Sequence, residues 1–193
     1  MSVRKALFLL AICTATASHG ANRSAEPKVW AQEPTSFLSI KLNEKLIYQL
    51  KQCPEDYSVP DEMCYERPYI EGYYSLRSTP PLGIGYGAAV VTHESQIREI
   101  RLTTKVENYD TVKAMLLQKY GQPLKQSSET VKTKVGVSFQ NEKSYWDGQK
   151  VMLILDKYGD TIDKSEISVI SKDIAHKAIK AEKDEMINHA SQL

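Results

Sequence analysis

Ile84-Gly85-Tyr86-Gly87-Ala88-Ala89-Val90-Val91-Thr92 and Ile97-Arg98-Glu99-Ile100-Arg101-Leu102-Thr103, joined by His93-Glu94-Ser95-Gln96, decide the fold. Both runs favour strands and a short polar stretch divides them, which is the pattern of a hairpin. In the second run Ile97, Ile100 and Leu102 alternate only imperfectly. A helix is expected next. Asp110 is placed to cap its free amides, Val112, Met115, Leu116 and Lys119 trace one face, and Tyr120-Gly121-Gln122-Pro123 supplies a terminal glycine and a proline stop.

Downstream, Val131, Thr133, Val135, Val137 and Phe139 alternate as in a strand, and Asp147-Gly148 is a tight turn between Lys143–Trp146 and Lys150–Asp156. Tyr158-Gly159-Asp160 marks another reversal before a last strand over Glu166–Ile170. The order strand-strand-helix-strand-strand-strand builds an α+β domain, an antiparallel sheet with helix packed on one face. From Ser171 to Leu193, Ala175, Ala178, Ile179, Met186 and Ile187 stand among charged residues, the pattern of a weakly amphipathic C-terminal helix, either docked on the surface or binding a partner.

Upstream, Phe37–Leu42 reads as a short strand and Glu44–Lys51 as a short helix, with Leu46, Ile47 and Leu50 on one face and Pro54 as its limit. Tyr65–Leu76 is an aromatic segment broken by Pro68 and Gly72. The one glycine-rich stretch, Gly83-Ile84-Gly85-Tyr86-Gly87, precedes a strand-forming run. A phosphate loop would have to open a helix, so these glycines are read as easing a bend or bulge at the sheet.

The run Ile97–Leu102, the Tyr109–Lys119 helix and the stop Lys119-Tyr120-Gly121-Gln122-Pro123 resemble small bacterial periplasmic proteins in which a hairpin feeds a helix ending in a Lys-Tyr-Gly-x-Pro turn. The order of elements is also similar to the helix-on-antiparallel-sheet domains of secreted β-lactamase inhibitor proteins and of the small lipoprotein of the outer-membrane barrel assembly machine. The resemblance covers Ile84–Ile170, implies a fold, and carries over no active-site residue.

The N-terminus gives an address. Arg4 and Lys5, the apolar run Ala6–Ile12 and the small residues Thr14-Ala15-Thr16-Ala17 read as a secretory signal peptide over residues 1–17, cleaved after Ala17. Later cuts after Gly20 or Ala21 fit the small-residue rule less well. Leu10-Ala11-Ile12-Cys13 half resembles a lipobox, but Ile12 stands where a small residue is required, so lipid anchoring through Cys13 is not expected. A periplasmic or secreted protein is expected, and no later run is long enough to span a bilayer. Residues 18–36, with Pro27 and Pro34, read as a flexible mature N-terminus, followed by one domain over 37–170 and the C-terminal helix over 171–193. Asn22-Arg23-Ser24 is a glycosylation sequon that matters only in a eukaryotic secretory pathway.

Cleavage leaves about 175 residues, enough for one domain with a sizeable core, and moves the formal charge from +1 to near −1. Acids and bases are intermixed, which excludes the basic stripe of a nucleic-acid binder. Cys53 and Cys64 remain as an even pair and are expected to form a disulfide. A metal site would need further ligands near that pair in sequence, and His93, His176 and His189 do not supply them.

Chemistry is not indicated. There is no Gly-x-Ser-x-Gly elbow, the Cys residues are committed to the disulfide, and pairs such as Asp61-Glu62 and Asp184-Glu185 read as solvated surface charge. No enzyme, cofactor or metal is expected. Seven of the eleven tyrosines, Tyr48, Tyr57, Tyr65, Tyr69, Tyr73, Tyr74 and Tyr86, straddle the disulfide. Tyrosine combines a large apolar ring with a polar tip, so such a cluster either packs the loop-rich layer or binds a partner. Tyr57, Tyr69, Tyr73 and Tyr74, flanked by Pro, Gly or charge, are the expected contact residues. The expected function is non-catalytic binding of another envelope or extracellular protein, as inhibitor, immunity factor or assembly accessory, with glycan or lipid binding through the Tyr-rich region as the alternative.

Overall fold

The computed structural model describes residues 30–56 and 58–192; the signal sequence read at residues 1–17, with Cys13, the sequon at Asn22 and the contact residue Tyr57 lie outside the described residues. The chain is of mixed α+β architecture. A small hairpin of β1 (Ser36–Phe37) and β2 (Ile40–Lys41) leads to β3 (Lys51–Gln52), β4 (Cys64–Tyr65), β5 (Tyr73–Arg77), β6 (Tyr86–His93) and β7 (Gln96–Lys105). Helix α1 (Tyr109–Tyr120) follows, then β8 (Lys125–Lys132), β9 (Ser138–Asp147), β10 (Val151–Asp156), β11 (Lys164–Ser171) and helix α2 (Lys172–Ala190). Strands β3 to β11 make one nine-stranded sheet in the order β3-β4-β5-β6-β7-β11-β10-β9-β8. Among the described residues only β3 and β4 pair in parallel.

The β6–β7 hairpin forms where expected, and its irregular pattern has a cause. Val91 pairs with Glu99 but Thr92 pairs with Ile97, so Arg98 is an extra residue in a β-bulge. The bulge returns Ile97 to the face that carries Ile100 and Leu102, and all three are buried. The turn is closed by Glu94 and Ser95, both at positive φ (49° and 66°), the conformation that matches the twist of a two-residue hairpin.

One sheet face holds the core. Val90, Ile100, Leu102, Trp146, Leu153, Leu155, Ile167 and Val169 are almost completely buried, and Tyr109, Val112, Leu116 and Tyr120 of α1, with Ile40, Leu42 and Leu46, cover them. The C-terminus of α1 is held by two tryptophans: the Trp30 Nε1–H donates to the Tyr120 carbonyl at 2.9 Å and the Trp146 Nε1–H to the Gly121 carbonyl at 2.8 Å. These bonds satisfy carbonyls that a helix end leaves without partners. Gly121 provides the expected stop at φ 73°.

Four local expectations are corrected. Asp110 is not the cap: α1 begins at Tyr109, after Asn108, without a side-chain cap bond, and Asp110 lies inside the first turn, where its charge still suits the positive helix end. Phe37–Leu42 is not one strand but the β1–β2 hairpin, because Leu38 and Ser39 turn at positive φ. The helix expected over Glu44–Lys51 is reduced to one 3-10 turn, Leu46–Tyr48, since Lys51 is drawn into pairing with Cys64. The alternation at Val131–Phe139 straddles a turn, in which the Val137 amide donates to the Thr133 hydroxyl and Gly136 has φ 88°. Val135 and Val137 are exposed there, and the strand is instead Lys125–Lys132, a polar edge strand without hydrophobic alternation.

The stretch read as a tether is anchored from Trp30 onward. Trp30 is buried, and the Glu33 carboxylate accepts the backbone amides of Gln149, Lys150 and Val151 at 3.0, 2.6 and 2.5 Å. At the other end, α2 packs on β6, β7 and β11 through its first turns, with Ile174 and Ala178 buried, while residues 181–190 are exposed. Among the described residues no helix is long and apolar enough to cross a membrane.

Candidate functional site

The expected Cys53–Cys64 disulfide is present. It closes an eleven-residue separation at the edge of the sheet, where β3 and β4 pair over only two residues each and could not hold themselves. The loop between the cysteines folds back on the far end of β5: the Arg77 guanidinium donates to the Ser58 carbonyl and the Ser78 hydroxyl to the Pro60 carbonyl.

The tyrosines do not form one patch. Tyr69 is fully exposed and Tyr73 39% exposed. Tyr74, next along the same strand, points to the opposite face, is half-buried on the core, and meets Tyr65 edge to face at 5.4 Å between ring centres. Period-two alternation separates Tyr73 from Tyr74. Tyr57 lies outside the described residues.

What the fold assembles is the end of the sheet that carries the β6–β7 turn. The Thr92 amide donates to the Gly72 carbonyl at 2.7 Å, which fixes the Tyr69–Tyr73 segment beside β6. A Cβ on Gly72 would lie 2.9 Å from the Thr92 carbonyl oxygen, and its φ of 79° is strained for any other residue. On the other flank of the turn Lys45 bridges to Gln96, and the chain crosses there as the Leu46–Tyr48 turn. Leu46 enters the core, which turns Ile47 and Tyr48 outward, half and three-quarters exposed. Ile70 is also largely exposed. Ile47, Tyr48, Tyr69, Ile70 and Tyr73 therefore share one end of the molecule. Sequence reasoning included Tyr48 among the clustered tyrosines but placed Ile47 with Leu46 and Leu50 on one helical face and passed over Ile70.

The face opposite the core carries charge instead. Arg101 donates to Glu99 at 3.0 Å and lies 3.6 Å from Glu166, while the Ser168 hydroxyl donates to Glu99 at 2.8 Å. Burial raises the Glu166 carboxyl above its usual value; Arg101 opposes the rise, and Asp160 and Glu99 add to it. On the core side, Lys113 and Lys157 both contact Glu142, at 3.2 and 3.4 Å, and lower its pKa, Lys113 foremost. Burial and Glu142 together push the Tyr109 hydroxyl far above its ordinary range. In both clusters acids face bases.

Among the described residues no nucleophile–base pair emerges from this geometry. His93 ends β6 while His176 and His189 lie on exposed positions of α2, and Ser168 donates to a carboxylate that already serves Arg101. Among the described residues no group of three or more metal-ligating side chains occurs. Comparison of the chain with protein-family models, with curated proteins and with solved structures finds no match.

Proposed function

We propose that this is a secreted, non-catalytic envelope protein that binds another protein through the end of the sheet bearing the β6–β7 turn. The observation that carries the reading is the gathering of Ile47, Tyr48, Tyr69, Ile70 and Tyr73 as exposed apolar side chains on segments pinned by Gly72–Thr92 and Lys45–Gln96. Aromatic groups held on a rigid support lose little entropy on docking, which is what a binding hot spot needs. The Cys53–Cys64 bond supports an oxidising compartment, and the N-terminal residues 1–17 support export.

The test is capture from native envelope extract with the oxidised protein, repeated with Tyr69→Ala plus Tyr73→Ala and, separately, with Ser127→Ala on the opposite edge of the sheet. One protein retained by the wild type and Ser127→Ala but lost by the double variant supports the reading, and its purified form should then bind directly. Retention of the bait in the peptidoglycan fraction without any protein partner would replace it by glycan binding.

A further inference from the structure

The two edges of the sheet are closed differently. Strand β3 pairs over two residues and is tied by the disulfide, whereas β8 is eight residues long and, among the described residues, nothing pairs with its outer side. It matches β9 residue for residue, from Lys125 opposite Tyr145 to Lys132 opposite Ser138. Neither a proline nor a bulge, two of the devices that bar an edge to a further strand, interrupts it. Six of its eight residues are exposed. Neighbouring bonds fix the direction of its backbone groups. The Thr133 amide donates to the Val137 carbonyl at 2.9 Å, and on the far side of β9 the Glu142 carbonyl accepts the Lys157 amide at 3.0 Å. The odd-numbered residues of β8 therefore bond to β9, and Gln126, Ser128 and Thr130 turn N–H and C=O outward.

The charges on this edge select its partner. Lys125 and Glu129 share one face of the strand but lie about 13 Å apart along it, too far to pair with each other. Lys125 makes no ion pair among the described residues, and Glu129 contacts Lys143 through Oε1. In an antiparallel pair with a second copy, setting residue 125 against residue 129 joins opposite charges twice by symmetry. The same register sets Gln126 against Ser128, both with outward backbone groups. Sliding the strands by two residues parts the charges, and by four opposes Glu129 to its own copy. We infer that β8 is the contact of a symmetric homodimer, two sheets joined edge to edge, with Lys125 of each copy facing Glu129 of the other. About four backbone hydrogen bonds and two ion pairs form, an interface at the low end for specific association, so Kd is about 10–100 μM.

The test is sedimentation velocity of the oxidised protein from about 5 to about 500 μM, with hydrogen exchange over the same range. The wild type should pass from monomer to dimer. As it does, the amides of Gln126 and Ser128 exchange more slowly, while those of Glu129 and Val131, already bonded to β9, do not change. This measurement needs no variant. Ser128→Pro, Lys125→Glu and Glu129→Lys are then compared, each first shown to melt like the wild type. Ser128→Pro removes an outward donor and stays monomeric. Lys125→Glu and Glu129→Lys each weaken the dimer about tenfold, because both attractive pairs become repulsive. An equimolar mixture of these two variants returns to about the wild-type affinity, since each copy then meets its opposite charge. A protein monomeric throughout, protection that misses Gln126 and Ser128, a dimer that survives Ser128→Pro, or a mixture no tighter than its components would each overturn the assignment. Capture of another protein through Tyr69 and Tyr73 is read separately, because Tyr73 lies on β5, toward the other edge of the sheet.

Discussion

At the scale of single residues, the positions that matter most are those where one side chain serves the backbone of a distant segment. Glu33 gathers three amides of the β9–β10 turn, and Gly148 leaves the room: a Cβ there would run into the Glu33 carboxylate. Glu33→Ala should cost about 1–3 kcal/mol in urea unfolding, since three donors lose a charged acceptor. Trp146→Phe keeps the ring plane but removes the N–H that satisfies the Gly121 carbonyl in a fully buried position, and should cost about 2–4 kcal/mol. Gly72→Ala forces a side chain onto the Thr92 carbonyl at positive φ. A loss of about 1–3 kcal/mol is expected, with weakened partner capture because Tyr69 and Tyr73 lose their support.

At the scale of elements, α2 divides into a docked half and an exposed half that reaches the sheet through the Arg98–Glu182 ion pair at 3.6 Å. Ile174 and Ala178 are buried, but everything from residue 181 to 190 is exposed, including Met186 and Ile187. Ending the chain after Lys180 should therefore change stability by less than about 0.5 kcal/mol. A larger loss on thermal melting would mean that the last turns are packed. The edge strand β3 and its neighbour β4 are the reverse case, short elements that depend on a covalent bond. Cys53→Ser with Cys64→Ser should raise hydrogen exchange across β3–β5 while β6–β11 stay protected, with a global cost of about 3 kcal/mol or less. Uniform exchange over the whole sheet would contradict that ordering.

At the scale of the whole molecule, the two sheet faces have different electrostatic behaviour. The Glu142 carboxyl is lowered by Lys113 and Lys157, so its contribution to stability is present above the ordinary value of 4.5 and is lost as pH falls through the lower folded value. Glu166 is raised by burial, so the folded state holds its proton longer than the unfolded chain does. Stability from this group therefore falls as pH rises through the window just above 4.5. In melts from about pH 3 to about pH 7, Glu142→Gln should flatten the acid limb and Glu166→Gln the decline above it. Identical profiles for the two variants would contradict the assignment of one to each effect.

Much of the architecture was legible because it is written in local periodicity. The β6–β7 hairpin, the α1 stop at Gly121 and the turn at Asp147-Gly148 follow from residue types whose preferences act within a few positions. The cysteine pairing was also legible, since setting Cys13 aside with the expected signal leaves Cys53 and Cys64 one partner each. Tertiary structure alone decided the rest. A β-bulge at Arg98 restored a pattern that looked faulty, pairing of Lys51 with Cys64 shortened an expected helix, and Val135 alternated without belonging to a strand. The placement of the exposed residues Ile47, Tyr48, Tyr69, Ile70 and Tyr73 at one end of the sheet is likewise a product of long-range pairing. Which residues share a surface depends on contacts between segments far apart in the chain, and local preferences carry no record of them.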